Sequence, residues 1–339
     1  MIPILYSEDE TAYISNGIGR LADCISPRVT ENMVTGDYEI EFSYPVNGIF
    51  SDEIKYNRTI KCFANDSDAP QLFDIHDISD NEDGTWNIFA RHIKHRLFGV
   101  PVANFSAAGI SAALSGVASH ALIPIGFELY TDKTSNTSYS LKVPNDVGHV
   151  LRGIEGSILD VYGGEYHYDN FRVGLLDRRG ADLGAEARYG NNLRRLSTET
   201  EGVAFTGVYA YWAKEVNGTT QLVKMAAPVV VQYYTGKPFI AVLDLSDKFE
   251  NAPTVAQLTA LAERYLGSGE PDVSYEVDIE PNTMEKVSIG DTIRIIDPPM
   301  NIDIKSRVYE TTYDPLLERM TAVKVGAFRP TFYDMLIKG

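Results

Sequence analysis

Between Tyr38 and Tyr44 the chain alternates strictly, with Tyr38, Ile40, Phe42 and Tyr44 on one side and Glu39, Glu41 and Ser43 on the other. That is the period of a half-buried β-strand. Leu72 to Ile78 and Thr85 to Ile93 flank Asp80-Asn81-Glu82-Asp83-Gly84, whose Asn, Asp and Gly suit a hairpin loop. The first hundred or so residues therefore predict a β-barrel or sandwich. From about residue 99 to residue 162 the pattern changes: Ser106 to Ala121 is rich in small, helix-tolerant residues, and the polar tract Thr131 to Ser140 reads as an exposed loop or hairpin tip.

Val147, Val150, Leu151, Ile154, Ile158 and Leu159 recur at spacings of three and four. This predicts one helix over Asp146 to Tyr162, capped by Asn145 and ended by Gly163-Gly164. Strands return after Glu165, and Asn217-Gly218 predicts a type I′ hairpin joining Val203–Glu215 to Thr219–Ala226. A second helix follows Pro253: Thr254 and Gln257 form a capping-box pattern, Val255, Leu258, Leu261, Ala262, Tyr265 and Leu266 give the apolar stripe, and Gly267-Ser268-Gly269 stops it. The chain closes on strands at Val287–Ile296, Ile302–Thr312 and Met320–Val325. No short-period repeat is present, so the fold class is α+β and β-dominated.

Composition narrows the function classes. The chain has 339 residues, enough for a large core and more than one domain. Asp and Glu outnumber Lys and Arg 47 to 30, a formal charge of −17, so the chain repels a phosphate backbone and sequence-specific nucleic-acid binding is not expected. No apolar run reaches the roughly 18 residues of a membrane span, and the N-terminus lacks the pattern of a secretory signal, so synthesis in the cytoplasm and no membrane insertion are expected. Cys24 and Cys62 are 38 positions apart with no Cys-x-x-Cys pattern, which predicts buried free thiols. Asn57, Asn65 and Asn104 stand in Asn-x-Ser/Thr contexts that are chance matches in such a chain.

The stretch from Gly156-Ser157-Ile158-Leu159-Asp160-Val161-Tyr162-Gly163-Gly164 through Glu165 to Phe171, then Leu175 to Gly180 and Arg188-Tyr189-Gly190-Asn191-Asn192-Leu193, resembles the signature of a phage tail family, the prophage endopeptidase tail or minor structural proteins. Leu21 to Pro45, Gln71-Leu72-Phe73-Asp74-Ile75 with Ala90-Arg91-His92-Ile93, Val287 to Ile295, and Arg307 to Gly326 resemble further parts of the family in its order. The resemblance implies a fold similar to the central baseplate hub of contractile-tailed phages, with two tail-tube-like β-barrels and α/β insertions. It implies a homotrimeric ring at the virion tail tip that continues the tube, binds the distal tail protein, meets the tape-measure protein and lets DNA pass without specific binding. A separately encoded receptor-binding or lytic component would follow, because only Ala327 to Gly339 remain after the last strand, too few for the lytic extension that gives the family its name.

The expected organisation is a first β-barrel at 1–98, an α+β insertion at 99–162, the first part of a second barrel at 163–240, a helical α+β segment at 241–280, closing barrel strands at 281–329 and a tail at 330–339. Glu165, His167 and Asp169 would project to one face of a strand and suit a metal or acid–base cluster; the bland alternative is turn and strand-edge hydrogen bonding. His92 and His95 lie in the basic run Arg91 to Arg96, which reads as a solvated basic patch. No His-Glu-x-x-His, Gly-x-Ser-x-Gly or phosphate-loop pattern occurs. We therefore expect no catalytic, cofactor-binding or metal residue and no cofactor. The alternatives to a structural hub are a tail-associated cell-wall endopeptidase and a carbohydrate-binding tip module, the latter suggested by the many tyrosines.

Overall fold

The computed structural model describes the chain apart from residues 155, 202–204, 217, 232–236, 247–248, 250, 267–271, 280–286 and 327–339. It divides into two compact units, one built from Met1–Ser197 with Tyr275–Arg329 and the other around Thr198–Ser274.

The first unit is organised by a thirteen-stranded sheet. Its main path runs Leu193–Glu201, Asp272–Ile279, Arg319–Gly326, Ile302–Asp314, Ile25–Asn32, Tyr38–Pro45, Thr85–His92, Gln71–Asp80, Thr59–Cys62, Ile4–Tyr6 and Gly19–Arg20. The alternation in Tyr38–Pro45 is realised: Tyr38, Ile40, Phe42 and Tyr44 are buried, each such side chain contributing roughly 1.5–3 kcal/mol by leaving water. The hairpin Gln71–Asp80/Thr85–His92 forms with Gly84 at φ +78° in its loop.

The two β-rich parts expected from the sequence are one continuous sheet, joined by the strand Ile302–Asp314. Along one edge its first half pairs with Thr292–Asp297 through Ile302–Arg307. On that edge Glu310–Tyr313 then pairs with Ile25–Asn32. Arg319–Gly326 accompanies the strand along its other edge, with register shifts at Val308/Glu310 and Thr312/Tyr313. The first shift lies where one partner gives way to the other, and a bulge there supplies the extra twist that lets a single strand serve both. The closing strand begins at Thr292 rather than Val287, because Gly290 takes φ +89° and Asp291 accepts the Ser288 N–H, so residues 288–291 form a turn.

The insertion carries small sheets. Glu128–Thr131 runs parallel to Arg172–Leu176, which pairs antiparallel with Glu165–Asp169. The single helix expected over Asp146 to Tyr162 is two, Val147–Leu151 and Ile158–Tyr162. Gly153 and Gly156 between them adopt φ +104° and +73°, outside helical space, and Ser157 restarts the helix by accepting the Asp160 N–H at 3.3 Å. Asp146, one residue later than expected, caps the first piece through the His149 N–H at 2.9 Å. Gly163 ends the second, as its position in the sequence predicts.

Among the described residues of the stretch 163–240, only Ala185–Arg188 and Leu193–Glu201 join the thirteen-stranded sheet. Gly207–Val216, Thr219–Lys224, Val229–Val230 and Ile240–Asp244 form a four-stranded sheet in the second unit. The expected hairpin pairs Val216 with Thr219, and Gly218 takes φ +74°; Asn217 lies outside the described residues, as do the expected helix stop at Gly267-Ser268-Gly269 and the tail after Gly326. The helix Val255–Leu266 starts with the predicted capping box: the Thr254 N–H donates to Gln257 Oε1 at 2.9 Å and the Gln257 N–H to Thr254 Oγ1 at 3.3 Å. Its Leu258 and Ala262 pack on Val208, Ala210, Trp212 and Leu243. Among the described residues no helix is long and apolar enough to cross a membrane.

The two tryptophans fall one to each unit, Trp86 in the first and Trp212 in the second. Leu258 has no exposed surface, and Leu258→Ala is expected to destabilise its unit by about 2–5 kcal/mol. In a Trp86→Phe background, denaturant unfolding followed by Trp212 fluorescence checks this; an unchanged midpoint would show that the helix does not carry the unit.

Candidate functional site

The hairpin Glu165–Asp169/Arg172–Leu176 stands at the centre of the polar residues that the sequence singles out. It turns in two residues, with Asp169 opposite Arg172 and Asn170 at φ +50°, a conformation asparagine tolerates. Tyr166 and Tyr168 point into the core, while Glu165, His167 and Asp169 share the other, half-buried face. The shared face is as expected, but the three side chains go to different partners. Glu165 accepts two hydrogen bonds from the Arg307 guanidinium, at 2.7 and 2.9 Å, and one from the Arg179 N–H at 2.7 Å. Asp169 accepts from Gln71 Nε2 at 3.0 Å. His167 makes two long contacts, Nε2 to Asp68 at 3.5 Å and Nδ1 to the Tyr130 hydroxyl at 3.4 Å. Among the described residues no group of three or more His, Cys, Asp or Glu side chains is placed to hold a metal.

Arg179 extends this arrangement inward. Its Nη1 donates to Glu31 at 2.7 Å and to the Tyr166 carbonyl at 3.2 Å, and both side chains of the Arg179–Glu31 pair are only 9% exposed. Arg307 also donates to the carbonyls of Arg179 and Gly290, at 3.0 and 3.1 Å. The result is an alternating series, Glu31–Arg179–Glu165–Arg307, reaching from the N-terminal strands through the hairpin to the strand Ile302–Asp314. The backbones at Gly180 and Gly290 touch, and a Cβ on Gly180 would lie 2.1 Å from the Gly290 carbonyl carbon; both residues have positive φ, so glycine is required at the crossing. Burial alone would raise the Glu165 pKa, but the Arg307 guanidinium and the Arg179 N–H outweigh it and hold the carboxyl below its ordinary range. Burial likewise disfavours the Arg179 charge, and Glu31 more than restores it.

The run Arg91 to Arg96 is not the solvated patch that its charge predicts. His92 has no exposed surface; it stacks on Tyr38 at 4.5 Å between ring centroids and its Nε2 lies 3.1 Å from Gln71 Oε1. Burial, reinforced by Lys94, keeps His92 well below its usual pKa and neutral. Burial and the charges of Lys94 and Arg91 also push His95 down to about 4. Lys94 is 6% exposed, and Arg96 makes a two-pronged pair with Asp74, both contacts at 2.7 Å. The physical reason is that residues 93–99 form a short helical segment packed on the sheet, and each inward-facing basic group finds a ring, a carbonyl or a carboxylate. Gln71 ties the two clusters together: its Oε1 also accepts the Asn170 N–H at 2.9 Å. Cys24 and Cys62 are buried free thiols, as expected, and burial raises the pKa of both.

A cleft of about 210 Å3 opens beside the series, lined in part by Glu31, Asn65, Asp68, His167, Arg178 and Ile289. Ser67 and Ser288 on its wall hydrogen-bond one another at 3.1 Å, while His167 contacts Asp68 and Tyr130. Asn65, a chance glycosylation match in the sequence, is buried and accepts the N–H groups of Ser67 and Asp68 in a turn. Glu31, Arg179, Arg307, Gln71 and Lys94 were not candidates on sequence grounds. The available signal was Glu31 itself, an acid two residues after Val29 on the inward phase of its strand.

Residues 187–336 match the family described as Prophage endopeptidase tail. Most of the segment from Gly156 to Leu193 therefore lies before the matched region. No curated protein matches. Among solved structures the chain is similar to prophage tail protein gp18 from Listeria monocytogenes EGD-e, at 15% identity and TM-score 0.65, covering all of this chain and 98% of that one. It is similar to the 43 kDa tail protein of prophage MuSo2 from Shewanella oneidensis, at 12% identity and TM-score 0.64, covering 97% and 98%. A tail protein from Neisseria meningitidis MC58 follows, at 10% identity and TM-score 0.58, covering 89% and 92%. At these identities the likeness is one of fold, and it extends over the whole chain: the fold is α+β, β-dominated and that of prophage tail proteins.

The charge series has a direct test. Removing one partner of the buried pair leaves the other uncompensated, so Arg179→Met is expected to cost about 3–5 kcal/mol by denaturant unfolding, and adding Glu31→Leu to recover much of it. Because the folded-state pKa of Glu165 lies below its unfolded value, its contribution is present above that unfolded value and lost as pH falls through the folded one. The stability gap between the native chain and Glu165→Gln should therefore close on acidification; a gap that persists unchanged at the lowest pH where both fold would show that the carboxylate charge is not what Arg307 reads.

Proposed function

We propose that this chain is a structural protein of a phage or prophage tail rather than an enzyme. It assembles as a homotrimeric ring at the tail tip, continues the tube, binds the distal tail protein and meets the tape-measure protein. DNA passes through it unbound, and it hands on to a separately encoded receptor-binding or lytic component. The observation that carries this reading is the likeness of fold to the Listeria prophage tail protein along the full length of both chains, together with the partial family match. The charge supports it: an acidic protein with a formal −17 does not retain DNA. The polar residues support it as well. Glu165 is spent on a two-pronged arginine pair, His92 is buried and neutral, and the hydroxyls of Ser67 and Ser288 bond each other, so the groups an endopeptidase would need hold elements together instead.

Light scattering across a concentration range, alone and with the distal tail protein, is expected to find three copies per particle. A mass that stays at one subunit in both conditions would overturn the ring. A cell-wall zymogram is expected to remain uncleared, and a clearing band that survives in a highly purified sample would replace the structural reading with the hydrolase.

A further inference from the structure

Three neighbouring strands carry a polar row on the inward face of the large sheet. Thr311 of Ile302–Asp314 stands opposite Glu31 of Ile25–Asn32, and Glu31 stands opposite Tyr38 of Tyr38–Pro45. All three are buried, at 3%, 7% and 1% exposure, yet their hydrogen-bonding capacity is not used up. The Tyr38 hydroxyl is buried without a partner. Among the described residues the Thr311 hydroxyl bonds nothing, and Glu31 is engaged through Oε1 alone, by Arg179. Polar groups buried and left open in this way cost stability unless something else satisfies them.

Glu31 and Thr311 line the cleft beside the charge series, and Asp68 meets them there. Both contacts of Asp68 fall on one oxygen: Asn65 Nδ2 donates to Oδ2 at 2.9 Å, and His167 Nε2 lies 3.5 Å from the same atom. Its Oδ1 is left over, and among the described residues no Lys or Arg side chain pairs with this carboxylate. The two arginines at the cleft are committed elsewhere. Arg179 holds Glu31 and the Tyr166 carbonyl, while Arg178, at the surface, donates to Thr292 Oγ1 at 3.3 Å. With Glu31 and Arg179 cancelling, the cleft retains one carboxylate without a counter-cation. It offers open oxygens on Glu31, Asp68 and Thr311, and an apolar wall of Leu176, Ile289 and Met320.

The geometry points to a binding site for a primary alkylammonium group, the side chain of a lysine presented by a partner protein. An ammonium is a point charge with three donors and no acceptor, which matches one uncompensated carboxylate and acceptors on three different residues. Its methylene stem lies along Leu176, Ile289 and Met320, as lysine stems do on apolar surfaces, and a cleft of about 210 Å3 admits it. A guanidinium fits less well, because its donors form a rigid fork suited to both oxygens of a single carboxylate. A carboxylate or phosphate is excluded by the charge of Asp68 and by having no donor for the open oxygens.

Titration of the intact chain with Nα-acetyl-lysine amide, followed through the methyl resonances of Ile289 and Met320, is expected to shift both and to saturate. The norleucine analogue, which keeps the stem and lacks the ammonium, should leave them in place. Asp68→Asn is expected to weaken binding by about tenfold or more and Thr311→Val by about threefold, the difference between a charged and a neutral acceptor. No saturable shift, an equal shift with the norleucine analogue, or an affinity that Asp68→Asn leaves untouched would overturn the inference. Free diamines carry the same ammonium, so cadaverine is titrated alongside: weaker binding than the lysine compound supports a protein side chain, and tighter binding would overturn it in favour of a small polyamine. If Asp68→Asn does not fold, Thr311→Val and the norleucine comparison decide it.

Discussion

The fold depends on the pairing of Glu31 with Arg179 and of Glu165 with Arg307, two ion pairs in series that connect segments far apart in the chain. Burying a lone charge is prohibitive, and burying an alternating series is tolerable only when every member keeps its partners. That condition fixes geometry. Arg307 must lie on the strand Ile302–Asp314 at the point where it changes partner, Arg179 must enter beside the Gly180–Gly290 crossing, and Glu165 must open the hairpin with its carboxylate toward both. Such a network contributes little net stability compared with an apolar core of the same volume, but removing any one member leaves its partner buried and uncompensated.

This accounts for what was legible in the sequence and what was not. The strands around Tyr38 and between Gln71 and His92 follow from side-chain period alone, and the capping box at Thr254 and Gln257 is a purely local device, so both read directly. The helix expected from Asp146 to Tyr162 fails because its apolar spacing survives in two short pieces while the glycines between them take left-handed backbone, and periodicity does not register that cost. The basic run Arg91 to Arg96 misleads for another reason. A charge run is usually solvated, and only tertiary packing shows that Tyr38, Tyr168, Gln71 and Asp74 come forward to receive it. The Glu165, His167 and Asp169 alternation is real, but three residues on one face share a site only if their partners converge. Here the partners stay apart: Arg307 comes from the strand Ile302–Asp314, while Asp68 and Gln71 come from the segment 68–71 and take different residues of the three.

In this junction Glu165, Gln71 and Arg179 are each engaged more than once. Groups so engaged act as fasteners. The second unit has its own core around Trp212 and Leu258 and its own capped helix, and among the described residues the charge series Glu31–Arg179–Glu165–Arg307 lies within the first.

The strand Ile302–Asp314 has a consequence for how chains of this kind can change length. It is paired along one edge to two successive partners and along the other to Arg319–Gly326, and within each half its side chains alternate between faces, the phase changing at the bulge near Val308. Inserting or deleting one residue near Val308 would exchange inside for outside along half the strand and uncouple Arg307 from Glu165. The loops of the insertion and the second unit face no such parity rule. Differences in length between chains sharing this architecture should therefore accumulate in those regions and spare the shared strand.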